Sequence, residues 1–181
     1  MRQLAAFSDD ELERFGAQTQ TRSFGRNELL LHPGQVPNEV FFVNRGLLRV
    51  VIADAHGTEH TIHFAMEHQF ITDYSAFIAR RPAQYSLQAL EDTEVVAIPR
   101  SAIEWGYDSL AEGEKLGRKI AESYFMYQDE RIKNAYVRTP KERYDELNQV
   151  FPNIQQRAPQ YLIASYLGIT PIHLSRLKHA K

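Results

Sequence analysis

Residues 159–178 read PQYLIASYLGITPIHLSRLK, and this stretch decides how the carboxy-terminal end of the chain folds. Two short helices joined by a tight turn must bury one shared face. Ile163 and Leu167 lie one helical turn apart, and Ala164 between them is small enough to let a second helix approach closely. Gly168 follows the last periodic residue, where a left-handed backbone closes a helix without steric penalty. Ile169 fills the corner. Thr170 is placed to cap the next helix, and Pro171 to occupy its first position, where no amide hydrogen is needed. Leu174 and Leu177 then face inward at helical spacing. The pattern predicts a helix-turn-helix whose second helix covers 171–180.

The outer face of that second helix is what a major groove would receive. Arg176 is the best base-reading candidate, because its planar fork matches the two acceptors on a guanine edge. His173 and Ser175 can reach base edges, and Ile172 can touch a thymine methyl. Arg157, Thr170, Lys178 and Lys181 are candidate phosphate contacts, which add affinity without sequence information. Charge agrees with the pattern. All 23 acidic residues fall in 1–146, whereas Arg157, Arg176, Lys178 and Lys181 follow, so a chain of net charge −2 ends in a segment free of carboxylate side chains. Such asymmetry points to a polyanion partner for one end of the molecule. The plain alternative is a helical hairpin with a solvated basic face.

Composition narrows the class. The chain has 181 residues, 43% of them hydrophobic, enough for one large domain or two small ones. It has no cysteine, hence no disulfide, no thiolate zinc site and no cysteine-ligated iron–sulfur cluster. No apolar run approaches membrane-spanning length, and no basic-then-apolar segment opens the sequence. A soluble cytoplasmic protein is expected.

Working back toward the amino terminus, Ser8 and Glu11 form a capping box, with Phe7 able to staple onto Leu12, for a short helix ending near Ala17. Strand-like runs follow at 28–31, 40–43, 47–52, 60–64, 85–90 and 94–98. Turn signals separate them at Pro33-Gly34, Asn44 to Gly46, Asp54 to Gly57 and Arg81-Pro82. Many short strands at near-regular spacing indicate a sandwich or barrel-like roll. From about Asp108 to Val137 the period becomes helical, with Leu116, Ile120, Tyr124 and Tyr127 on one stripe that Ile132 and Ala135 extend. A helix of ~30 residues spans ~45 Å, longer than a small roll needs to cover itself, so part of that stripe is expected to meet a second copy. Packing wholly on its own domain is the alternative. Thr139 and Glu142 form a second capping box with Pro140 at the first position, and Tyr144, Leu147 and Phe151 mark one more amphipathic helix before Pro152. The expected organisation is an α+β chain: a roll domain over 1–107, a long helix over 108–137 and a helix-turn-helix domain over 138–181.

This arrangement resembles the cyclic-AMP receptor protein/FNR (Crp/Fnr) family of bacterial transcription regulators. The most specific pieces are Pro33-Gly34-Gln35, the run from Val43 to Arg49, the glycine turn at Gly57, the run from Ile163 to Pro171, and Leu174 to Arg176. The resemblance implies a jelly-roll (double-stranded β-helix) domain of the cyclic-nucleotide-binding type, a dimerisation helix and a homodimer that reads palindromic double-stranded DNA. It also implies a small effector in the roll that changes how the two long helices meet. RNA polymerase is a further candidate partner, and no enzymatic activity is implied.

The chain departs from the family where the family holds its nucleotide. Thr72 and Asp73 stand for a glycine-glutamate pair, and Ala83 and Gln84 stand where arginine and serine would lie. A cyclic phosphate without a cationic partner forgoes charge-assisted bonds worth roughly 1.5–3 kcal/mol each. Cyclic nucleotide is therefore not expected, and no cofactor is assigned. Thr72, Asp73, Tyr74, Ser75, Tyr85 and Ser86 remain a candidate pocket for an unidentified effector, or simply hydrogen-bond their own loop. Residues 152–158 are too few for the hairpin wing that relatives often carry. Ile172 replaces a residue that is often polar, so a base preference different from that of the cyclic-AMP receptor is expected.

His56, His60 and His63, with Glu67 beyond, invite comparison with metal-binding cupin enzymes. Those need two histidines two residues apart on one strand face. His60 and His63 are three apart and would point to opposite faces of a regular strand, so no metal site is assigned and exposed imidazoles are expected. No nucleophile-elbow or phosphate-cradling glycine pattern is present. Asp9-Asp10 and Glu91-Asp92 read as solvated capping or turn carboxylates. Two other readings stay open: a ligand-sensing or scaffolding roll whose helical tail does not read DNA and, more remotely, a cupin-like metalloenzyme.

Overall fold

The computed structural model describes residues 6–179. Helix α1 (Asp9–Gly16) opens with the capping box, in which Ser8 and Glu11 each satisfy the other's backbone amide. Eight strands follow: β1 (Gln20–Phe24), β2 (Leu29–Leu31), β3 (Glu39–Arg45), β4 (Leu48–Ala53), β5 (Glu59–Ala65), β6 (Phe70–Ile71), β7 (Ser86–Ala89) and β8 (Thr93–Pro99). A short helix, α2 (Tyr74–Ala79), interrupts the series. The strands pair antiparallel as two four-stranded sheets, ordered β1-β8-β3-β6 and β2-β7-β4-β5. Their inner faces meet over a core that includes Phe41, Val43, Leu48, Val50, Leu87, Val95 and Ala97. The expected roll is borne out. β1 and β6 carried no sequence signal: β1 is polar and largely exposed, and β6 is two residues long.

Tight approach explains two features. Gly46, at φ 115°, lies so close to Thr93 that a Cβ would collide with its backbone, and the following Leu47 and Leu48 are fully buried. On β5, Val50 pairs with His63 and Val51 with Thr61, which leaves Ile62 as the extra residue of a bulge. The regular alternation expected for His60 and His63 therefore fails. His60 pairs with Asp54 at the surface, while His63 is buried against the helices, so it is not an exposed imidazole.

The long helix expected over 108–137 begins five residues later, and a further helix that the sequence reading did not include precedes it. Helix α3 (Arg100–Ser109) ends at Leu110, whose backbone is extended, and α4 (Gly113–Val137) begins after it. Gly113 abuts the carbonyl of Gly106, and Gly117 abuts the Tyr107 ring, so the two helices touch where no side chain fits. The stripe, part of which is expected to meet a second copy, faces the roll at Leu116, Ile120, Tyr124 and Tyr127, whereas Ile132, read as its extension, lies on the other side of the helix. Leu116 is buried within its own chain, Tyr124 meets Tyr74 edge-on at 6.2 Å between centroids, and Tyr127 meets His63 at 5.0 Å. These residues and Ile120 turn toward the roll. Phe125, Ile132 and Tyr136, seven and then four residues apart on the opposite side, are 68%, 61% and 87% exposed.

Beyond α4 come α5 (Pro140–Val150), capped by Thr139 and Glu142, α6 (Ile154–Arg157), α7 (Gln160–Leu167) and α8 (Pro171–His179). They do not form a separate body. Leu47, Phe64, Met66 and Leu90 of the roll share one core with Leu147, Phe151, Ile154, Leu162, Ile163 and Leu174. Phe64 packs edge-on against Phe151 and tilted against Tyr166, at 5.6 and 5.4 Å. Replacing a buried phenylalanine by alanine costs about 3–5 kcal/mol. Phe64→Ala should therefore lower the stability of roll and helical tail together. The check is denaturation followed by helix circular dichroism and by Trp105 fluorescence. Two separate transitions in the wild-type chain would contradict a shared core.

Candidate nucleic-acid interface and effector pocket

The helix-turn-helix is built as the sequence specifies. Gly168 takes the left-handed conformation at φ 67°, with its amide donating to Ser165 and that of Ile169 to Ala164. The Thr170 hydroxyl accepts the amide of His173 at 3.1 Å, Leu174 is buried and Leu177 half-buried. The remaining side chains of α8 face outward: Ile172 is 68% exposed, and His173, Ser175, Arg176, Lys178 and His179 are also exposed. Neither Arg176 nor Lys178 has a partner among the described residues. Thr170 is exposed but engaged in its cap. Lys181 lies outside the described residues.

Arg157 is a correction. It was expected at phosphate, but the turn at Asn153 (φ 60°) and the short α6 swing it onto the roll. Its guanidinium donates to both oxygens of Glu67, at 2.9 and 2.8 Å, and to Glu91 at 2.5 Å. Glu67 also accepts the Gly46 amide at 2.9 Å. The Arg157 bonds hold the Glu67 carboxyl down to about 2, and the two carboxylates raise Arg157. Glu91, expected as a solvated turn residue, is thus part of an ion cluster that ties α6 to the roll.

Two further ties hold the tail. The Thr61 amide donates to the Ser165 hydroxyl at 2.9 Å. Arg143 donates to the carbonyls of Ala135, Arg138 and Leu167, closing the ends of α4 and α7 with one side chain. Beside them runs a chain of rings: His63 Nδ1 lies 3.0 Å from the Tyr127 hydroxyl, which lies 3.2 Å from that of Tyr166. The Arg131 guanidinium sits 5.1 Å over the Tyr166 ring. Burial, and secondarily the charge of Arg131, push His63 down to about 3, and burial pushes the Tyr127 hydroxyl up.

The predicted effector residues divide. Asp73 is 2% exposed and caps α2. Its oxygens accept from the Ala76 amide, the Ser75 hydroxyl and the Gln84 amide, all at 3.1 Å, so its capacity serves the loop. The Thr72 hydroxyl donates to the Glu39 carbonyl at 2.9 Å. Tyr85 packs against the inner core and Ser86 is buried in β7. Nearby arginines turn away: Arg80 pairs with Glu104, and Arg81 reaches only Ser75, at 3.4 Å. A cavity of about 380 Å³ does open in the roll domain, between the outer face of the β1-β8-β3-β6 sheet and helices α3 and α4. Thr72 and Tyr74 line it, whereas Asp73, Ser75, Tyr85 and Ser86 do not. Nothing in the sequence marks this space, because its walls come from stretches far apart in the chain: Phe15, Val40, His63, residues 68–77 and residues 98–124. Among the described residues no group of three or more histidine, aspartate or glutamate side chains could hold a metal ion, and no helix is long and apolar enough to cross a membrane.

Residues 21–109 match the family model of the cyclic nucleotide-binding domain. No curated protein matches the chain. Among solved structures, FixK2 from Bradyrhizobium japonicum superposes with a TM-score of 0.75 at 15% identity, covering 89% of this chain and 83% of its own. A putative transcriptional regulator of the crp/fnr family from Eubacterium rectale gives 0.71 at 13% identity, with 95% and 82% covered. The catabolite activator protein of Thermus thermophilus gives 0.58 at 15% identity, with 99% and 85% covered. The chain thus has the architecture of these regulators, as its sequence resemblance implied.

Two titrating groups where the roll meets the helical tail, His63 and the partly exposed Glu67, set an acid limit. Each releases its proton more readily folded than unfolded, so the stability each contributes is complete above its ordinary value and fades as pH falls. For His63 the window runs from 6.5 toward about 3, and for Glu67 from 4.5 toward about 2. Stability measured against pH should decline in both windows. His63→Gln should flatten the upper window and Glu67→Gln the lower one. Unchanged slopes in the variants would show that other groups govern acid unfolding.

Proposed function

We propose that this chain, a cyclic-nucleotide-binding-type roll continuous with a helix-turn-helix, is a homodimeric transcription regulator that reads a two-fold symmetric DNA site with α8. The observation that carries the reading is the state of that helix. Its apolar side packs on α7 and enters the core shared with the roll through Leu174, while Ile172, His173, Ser175 and Arg176 form an open face without internal partners. A rigid mount with a free recognition surface is what base reading requires. Arg176 reads a guanine, with Ile172, His173 and Ser175 beside it, and Lys178 and Thr170 contact phosphate. Arg157 takes the role of fastening the helices in place.

The second copy docks on the face of α4 that the roll leaves bare. Phe125, Ile132 and Tyr136 form one stripe, and burying it against its own image is the ordinary fate of such a surface. Two copies then present their recognition helices to half-sites about one DNA turn apart, ~34 Å. On a promoter, RNA polymerase is the machinery such a regulator addresses. The roll serves as the sensing part, with an effector other than a cyclic nucleotide and no catalytic role.

Selection of bound fragments from random DNA should enrich a palindrome. No enrichment at modest salt would favour a sensing or scaffolding roll that does not read DNA. Arg176→Ala should remove sequence preference while sparing general affinity. Lys178→Ala should weaken binding to all DNA alike and lower the salt slope by about one unit. Phe125→Glu combined with Tyr136→Glu should yield monomers in sedimentation and weaken operator binding. A dimer that survives the pair would place the contact elsewhere.

A further inference from the structure

We propose that the cavity beneath α3 and α4 binds a neutral, mainly aromatic or aliphatic small molecule bearing one hydrogen-bonding group, and that its occupancy is felt at the DNA-reading helices through His63, Tyr127 and Tyr166. The second half rests on the proposed function; the first does not.

The cavity lies on the outer side of its sheet. Along β3 and β8, Phe41, Val43, Val95 and Ala97 point into the roll, so the alternate residues Val40 and Ile98 point out, toward the helices. Its volume of about 380 Å³ suits a small organic molecule. Val40, Phe70, Ile98, Leu116, Ile120 and Ala121 supply apolar wall. No aspartate, glutamate, lysine or arginine lines it. A charged ligand entering it would lose hydration without compensation, which selects against a cyclic phosphate and for an uncharged molecule.

Several polar groups on the wall are already committed. Thr72 donates to the Glu39 carbonyl, Gln69 accepts the Met66 amide, and the Tyr124 hydroxyl accepts from Gln128. His63 is different. One ring nitrogen meets Tyr127, and the other has no partner among the described residues. Buried beside the charge of Arg131, the ring is neutral at physiological pH, so its second nitrogen can donate to or accept from a ligand hydroxyl or carbonyl. This site borders the segment that stands where relatives hold a nucleotide, sharing Thr72 and Tyr74 with it, but Asp73, Ala83 and Gln84 do not line it. His63 also begins the ring chain, which passes from β5 to α4 and on to α7 at 3.0 and 3.2 Å. A ligand bonded to the ring fixes its tautomer and orientation, and with them the hydrogen bonds that reach Tyr166.

The experiment uses the full chain and N-phenyl-1-naphthylamine, an uncharged dye that brightens in apolar surroundings. Its emission should rise and saturate at one dye per chain. Its sulfonated relative 8-anilino-1-naphthalenesulfonate should bind about tenfold more weakly or less. Ala121→Trp and Val40→Trp, which fill the space from opposite walls, should each weaken dye binding about tenfold, a loss of about 1.4 kcal/mol. Absence of saturable emission, equal binding of the sulfonate, or undiminished binding in a Trp variant that retains its circular dichroism would overturn the site. The dye comparison on the unmodified chain decides the matter without any variant. For the coupling, dye should shift the affinity for the selected palindrome, and Tyr127→Phe should bind dye yet lose that shift. An unshifted affinity in the wild-type chain, or a shift that survives in Tyr127→Phe, overturns the coupling alone. Failure to select any palindrome overturns the proposed function and leaves the dye titration to judge the cavity.

Discussion

The burial of Phe64 between a β sheet and a helix-turn-helix is the constraint on which the rest of the structure depends. Phe64 is on the roll, yet its ring contacts are Phe151 and Tyr166 of the tail. A tail of short helices cannot enclose a core of its own, since burial grows slowly at small size. It borrows Leu47, Phe64, Met66 and Leu90 to complete one. Arg157 adds direction to this nondirectional contact, because two carboxylates and a planar guanidinium admit few relative orientations. The ionic cluster is half-exposed, so its effect is more on geometry than on stability. Arg143 does the same for α4, joining its end to that of α7.

Elements specified by neighbours in sequence were legible. The capping boxes at Ser8 and Thr139, the left-handed Gly168, the cap at Thr170 and the buried Leu174 all arise from bonds spanning a few residues, and each is where local rules put it. The strands with apolar alternation were equally clear. What escaped was set by distant partners. Arg157 looked like a free cation because Glu67 and Glu91 are 90 and 66 residues away. His63 looked exposed because nothing nearby announces a bulge at Ile62 or the arrival of Tyr127. On α4, the sequence pattern shows one stripe that takes in Ile132, with part of it expected to meet a second copy. The helix has two, and the stronger in sequence is the one its own roll consumes.

The same logic separates the remembered site of a fold from the space a particular chain leaves open. The family resemblance would put a ligand-binding acid at Asp73, yet its oxygens accept from Ala76, Ser75 and Gln84. Asp73 is here an internal strut for α2. The open volume lies instead on the other side of the sheet, where its walls are apolar. Retention of a fold therefore does not fix where a molecule of this shape is filled.

The glycine contacts at the foot of α4 have a mechanical consequence. Gly113 and Gly117 let the helix rest directly on backbone and ring, with no side chain to cushion it. Such a joint transmits rotation rather than absorbing it. Over 25 residues the helix extends ~37 Å, so a tilt of about 5° at its foot becomes a displacement of about 3 Å at Val137. The long helix is thus a lever with its fulcrum at two glycines, and an atomic-scale change near the fulcrum emerges at the far end on the scale of a base-pair step.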